Sequence, residues 1–200
     1  MAGVLLGAFA YGMTRGRYGY HVRRHDVPIP GLPEGLEGLR IVQISDAHLG
    51  SFLEDFEPVE RGLKLIQSLE PDILCFTGDL VNDHSDEAEP WISRFQSLTA
   101  RYGKFSILGN HDYADYARRT DEERDNVRRR IREIHGEMGF DLLLDEHRYI
   151  ERGGDKVLIA GVQNWGKGFR QSGDLDAALK GAQVDLPTVL LSHDPTHWEE

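Results

Sequence analysis

From residue 39 onward the chain alternates short apolar runs with longer amphipathic ones. The runs "LRIVQIS" (39–45), "DILCFTG" (72–78) and "KFSILG" (104–109) have the length and β-prone content of strands. Between and after them, residues 54–69 and 86–100 space their apolar side chains as helices do. The segment 113–137 carries Ala117, Val127, Ile131 and Ile134 among mixed charges whose spacing allows i,i+4 pairs, so a solvated helix is predicted. "DLLLD" (141–145) follows. Two β-prone runs then flank Gly153 and Gly154, the signature of a hairpin, and a short helix near 174–181 leads to "PTVLLSHDP" (187–195). This order predicts an α/β sandwich, two mixed β-sheets flanked by helices. The proline- and glycine-rich stretch "PIPGLPEGLEG" reads as a linker, which divides the chain into an N-terminal segment, 1–38, and one domain, 39–200.

Composition agrees with one domain: 200 residues with 40% hydrophobic content suffice for a real core. The net charge is −11, although the first 25 residues hold Arg15, Arg17, Arg23 and Arg24 and no acid. An acidic body argues against recognition of nucleic-acid backbone, and no nucleic-acid partner is expected. Phosphate substrates stay open, because bound divalent cations reverse the local field. The single cysteine, Cys75, lies inside an apolar run and reads as a core residue. The first thirteen residues are apolar but fall short of the about 20 that span a bilayer. They suit the remnant of a membrane helix, with the arginines marking the cytoplasmic side. A secretory leader and a frayed soluble terminus are the alternatives, the last giving a cytoplasmic protein.

Four strand candidates end alike. "LRIVQIS" runs into Asp46 and His48, "DILCFTG" into Asp79, "KFSILG" into Asn110, His111 and Asp112, and "TVLLS" into His193 and Asp194. In open α/β sheets the carboxyl ends of neighbouring strands face one crevice, so these tips are expected to converge. A lone Asp after a strand is ordinarily a turn former, and a lone His a satisfied structural residue. Four tips that each deliver an O or N donor fit a metal site better. Carboxylate, imidazole and amide oxygen without thiolate suit Mn²⁺, Fe or Zn²⁺, and the supply exceeds the need of one ion. A pair of divalent ions would form the clamp for in-line phosphoryl displacement.

The blocks "DAH" (46–48), "GD" (78–79), "GNHD" (109–112) and the histidine of "SHDP" resemble, in order, those of the calcineurin-like metallophosphoesterases. "RIVQISDAHLGSF" and "VLLSHDP" are similar to the membrane-associated branch related to UDP-2,3-diacylglucosamine hydrolases. The resemblance implies a metal-dependent phosphoesterase that opens a phosphoester or pyrophosphate bond with a dinuclear centre and a bridging hydroxide. Asp46 and His48 would hold one ion, Asn110 and His193 the other, and Asp79 would bridge them. His111 would stabilise or protonate the scissile phosphate, and Asp112 would orient that imidazole. The implied substrate is a phosphorylated small molecule or a lipid-linked one, and the implied setting a membrane with the catalytic domain on its cytoplasmic side.

The family's last block, G-H-x-H, is absent before Glu200. Three expectations compete: a chain that stops before its natural end, a partner that supplies the histidines, or a non-catalytic metal-binding or regulatory relative. His197 is expected to point away from the site. His21, His25, His84, His135 and His147 are expected to be solvated. Trp165 and Phe169 read as packing or as a stacking surface, and Lys167 and Arg170 as solvated or as contacts to a second phosphate.

Overall fold

The computed structural model describes residues 7, 12, 18–52, 56–168, 170–183 and 185–199. Most of the N-terminal apolar run, Arg15, Arg17 and Phe169 lie outside the described residues. Among those described, no helix is long and apolar enough to cross a membrane.

Two sheets form the centre. The first contains β1 (Ile41–Ile44), β2 (Ile73–Phe76), β3 (Gly103–Ser106) and β4 (Asp141–Leu142) in that spatial order. The second contains β5 (Glu146–Arg152), β6 (Asp155–Gly161) and β7 (Thr188–Leu191). Only the second is mixed, β5 antiparallel and β7 parallel to β6. The first, expected to be mixed, is parallel in every described pair, since each of its connections carries a helix or 3₁₀ turns across one face.

Strand alternation divides the apolar residues between two cores. From β2, Ile73 and Cys75 point toward the second sheet and meet Val157, Ile159 and Leu191, while Leu74 and Phe76 point toward the helices. There they meet Val59 and Leu63 of α1 (Phe56–Ser68), Phe95 of α2 (Ile92–Gln96), and Ile131 and Ile134 of α3 (Asp121–Glu137). Burial on both faces explains why "ILCF" reads as a continuous apolar run. Gly153 and Gly154, at φ 63° and 88°, make the hairpin turn between β5 and β6.

Three helices are shorter than their patterns predict. In 86–100, Pro90 and the polar run before it replace the first half by 3₁₀ turns. The segment 113–137 becomes helical only at Asp121, where Thr120 and Glu123 form a capping box, because Ala114 adopts a left-handed φ of 58° and turns the chain away. The last, α4, is confined to Leu175–Ala178. Leu36 is buried, and the Gly35 N–H donates to Asp155 at 2.9 Å, so the end of the presumed linker packs on the second sheet.

His135 departs from expectation. It is 1% exposed at the inner face of α3, packed on the Phe76 ring, and its Nε2 has no hydrogen-bond partner. The alternation of charges around it masked a position that faces the core.

Candidate metal centre

Because β1, β2 and β3 are parallel neighbours, their carboxyl ends open on one edge, and their following loops stay paired beyond the strands. Asp46 N–H donates to Gly78 O at 3.0 Å and His48 N–H to Asp79 O at 3.1 Å. Asp46, His48 and Asp79 all take left-handed backbone conformations, at φ 55°, 43° and 58°. Non-glycine residues rarely do so, and their coincidence here marks a shaped site. Gly78 and Gly109 let two loops touch. A Cβ at Gly78 would strike the Gly109 backbone, and one at Gly109 would strike Asp79.

Asp79 lies at the middle of the cluster, 3% exposed. Its Oδ1 accepts the His111 N–H at 2.9 Å, and its Oδ2 stands 3.5 Å from the Nε2 of both His48 and His193. Two donor groups result, His48, Asp79 and His111 in one and Asp46, Asp79 and His193 in the other, with ligand atoms within 4.8 Å of one another. Asn110 joins the second side, its Oδ1 3.2 Å from His193 Nε2. All five expected metal ligands therefore gather at one pocket, where Asp46 Oδ1 also stands 4.0 Å from His48 Nε2.

The donor set fits divalent cations. His193 Nδ1 donates to Thr77 O at 2.8 Å and His111 Nδ1 to Asn82 O at 2.5 Å, so in each ring the proton is held by a backbone carbonyl and Nε2 is left for the pocket. Burial alone would raise the Asp79 carboxyl, but the hydrogen bond and charge of His193, with the His111 N–H, hold it below the usual carboxylate value. Burial likewise opposes charge on His193, yet Asp79 and the Thr77 carbonyl push it up to about 9. Without a cation, Asp79 thus favours a protonated His193 beside it, and a cation in the pocket would take the place of the Nε2 proton.

Asp112 does not orient His111. Its carboxylate is 0% exposed and accepts the backbone N–H groups of Gly109, Asp79 and Leu80 at 2.9 Å each, with Val81 at 3.4 Å. Burial and the nearby Asp79 charge push it up to about 7 against those donors. It is the clasp between the loops after β2 and β3, and the Asn82 carbonyl holds His111 instead. That backbone contact has no side-chain signature, which hid it from sequence reasoning.

His197 turns away as expected, bonded to Ser192 Oγ at 3.0 Å and stacked on Trp165. Arg170 pairs with Asp115 at 2.8 Å and lies over the Tyr113 ring. Together with Asn110, Tyr116 and Gly168, Arg170 and Asp115 line an open cavity of about 420 Å³ beside the cluster. Tyr116 was missed because it falls in a segment read as helix.

Residues 39–199 match the calcineurin-like phosphoesterase family model. Among curated relatives, a transmembrane protein with metallophosphoesterase domain from Danio rerio is 28% identical over 92% of this chain and 41% of its own length. An uncharacterized metallophosphoesterase of Aquifex aeolicus is 31% identical over 96% of this chain and 67% of its own. The UDP-2,3-diacylglucosamine pyrophosphatase LpxG of Chlamydia trachomatis is 48% identical over 42% of this chain and 26% of its own length. The chain thus spans well under half of the first of these relatives.

Proposed function

The chain belongs to the calcineurin-like phosphoesterase family, and from that premise we propose that it hydrolyses a phosphoester or pyrophosphate bond at the Asp79 pocket. One observation carries the reading: Oδ2 of a single buried carboxylate, Asp79, stands 3.5 Å from Nε2 of both His48 and His193, the imidazoles assigned to the two ions. Asp46, His48, Asp79, Asn110 and His193 would hold two divalent ions, with Mn²⁺, Fe and Zn²⁺ all compatible with these donors. When bound, such ions supply Lewis acidity, which lowers the pKa of water and offers fixed positive charge to phosphoryl oxygens. His111 keeps Nδ1–H on the Asn82 carbonyl, so that the proton it gives to a leaving oxygen comes from Nε2 of the imidazolium. Asp112 contributes by holding the two loops in register.

The substrate is read as a phosphorylated small molecule or a lipid-linked one, a reading supported by the pyrophosphatase name of the Chlamydia trachomatis relative. Membrane association is supported by the transmembrane names of relatives, and the cytoplasmic side for the catalytic domain rests on the arginines after the apolar run. The test is a panel of an aryl phosphomonoester, a phosphodiester and a nucleoside diphosphate sugar lipid, each with and without Mn²⁺, alongside elemental analysis. Metal-dependent turnover of at least one is expected. Protein that carries two ions and hydrolyses none would be a non-catalytic relative, and the proposal would be abandoned.

A further inference from the structure

Tyr116 lies outside every motif of the sequence, yet it touches two of the site's side chains. Its ring lies nearly flat on the His111 imidazole, 4.4 Å between centroids at 23°. Its hydroxyl accepts a hydrogen bond from Asn110 Nδ2 at 2.5 Å. An amide has two opposite ends, and only the oxygen can ligate a cation. With Nδ2 engaged by Tyr116, Oδ1 is the end that faces His193. The tyrosine is itself held from behind: its N–H donates to Asp83 Oδ1 at 3.0 Å, and the buried Asp83 pairs with Arg119 at 2.5 Å. The left-handed turn at Ala114 aims the chain back over the site.

We propose that Tyr116 is a positioning residue of the metal pocket. Its hydroxyl fixes the Asn110 amide with oxygen toward the cations, and its ring fixes the plane of His111. The residue is 54% exposed, so its contacts serve the site more than the core. The inference rests on the reading of Asn110 as a metal ligand, and its test separates the two.

Mn²⁺ binding is titrated by calorimetry and electron paramagnetic resonance in the full chain, in Tyr116→Phe, Tyr116→Leu and Asn110→Ala, with thermal melts to verify folding. The wild type is expected to bind two ions and Asn110→Ala to weaken one of them. Tyr116→Phe is expected to weaken that same ion by about 10- to 100-fold, the usual cost of losing a partner that orients a ligand. In the metal-free protein, Tyr116→Phe keeps the ring-current displacement of the His111 ring protons in the NMR spectrum and Tyr116→Leu loses it. Unchanged affinities in Tyr116→Phe, with Asn110→Ala weakened, would overturn the hydroxyl role and leave the ligand reading standing. Unchanged affinities in Asn110→Ala would overturn both. A His111 displacement that survives Tyr116→Leu would overturn the role of the ring.

Discussion

Asp79 Oδ2 stands 3.5 Å from His193 Nε2, and the other nitrogen of that ring is anchored to the Thr77 carbonyl at 2.8 Å. The imidazole cannot turn away from the carboxylate without leaving its Nδ1–H unpaired, so the pair is fixed before any cation arrives. Asp79→Asn keeps the size of the side chain and removes its charge. It should reduce bound metal from two ions to at most one and lower kcat/KM by at least about 100-fold. Elemental analysis and steady-state kinetics on the same preparation check this; two ions retained in the variant would refute the shared-carboxylate arrangement.

The clasp role of Asp112 separates stability from chemistry. Asp112→Ala leaves buried N–H groups of Gly109, Asp79 and Leu80 without an acceptor. The cost should be on the order of 3 kcal/mol. His111→Ala, at a half-buried ring, should cost under about 1 kcal/mol and instead slow turnover of alkyl phosphoesters by about 100-fold or more. Urea unfolding of both variants decides the matter, and equal destabilisation would return Asp112 to the catalytic group.

Much of this pocket was legible in the sequence because its side chains stand at strand ends, and the parallel order of β1, β2 and β3 brings three of those ends together. Asp46, His48, Asp79 and Asn110 follow from that topology, whereas His193 comes from the end of β7 in the second sheet. What escaped was carried by backbone or by tertiary context. The carbonyls of Thr77 and Asn82 that set the imidazoles have no residue code. Tyr116 was hidden by a charge pattern that continued helix periodicity across the turn at Ala114. His135 was hidden the same way, since mixed charges on three sides of α3 disguised its fourth.

His135 gives the fold a specific acid sensitivity. Burial pushes its imidazole down from 6.5 to about 4, so between those values the unfolded chain takes up a proton that the folded one refuses. Stability contributed by the neutral ring is therefore present above pH 6.5 and falls as pH drops toward 4. The loss amounts to on the order of 3 kcal/mol. His135→Leu should remove that part of the acid slope, measured by urea unfolding from pH 7.5 to about 4. Parallel slopes in variant and wild type would show that the ring is protonated in the fold.

The proton-donor role proposed for His111 predicts a dependence on the leaving group. His111→Asn retains a side-chain N–H near the position that meets the Asn82 carbonyl, and it has no proton to give. A nitrophenyl ester expels a stabilised oxide and needs little protonation, so the variant should lose under about 10-fold in kcat/KM on it. An alkyl phosphoester expels a strongly basic oxygen, and there the loss should reach about 100- to 10,000-fold, the range supplied by a positioned general acid. Metal content should be unchanged if His111 donates protons and is no ligand, whereas His48 and His193 variants should lose metal. Equal losses on both substrates would instead assign His111 to binding the phosphoryl group. A loss of one ion would assign it to the group it forms with His48 and Asp79.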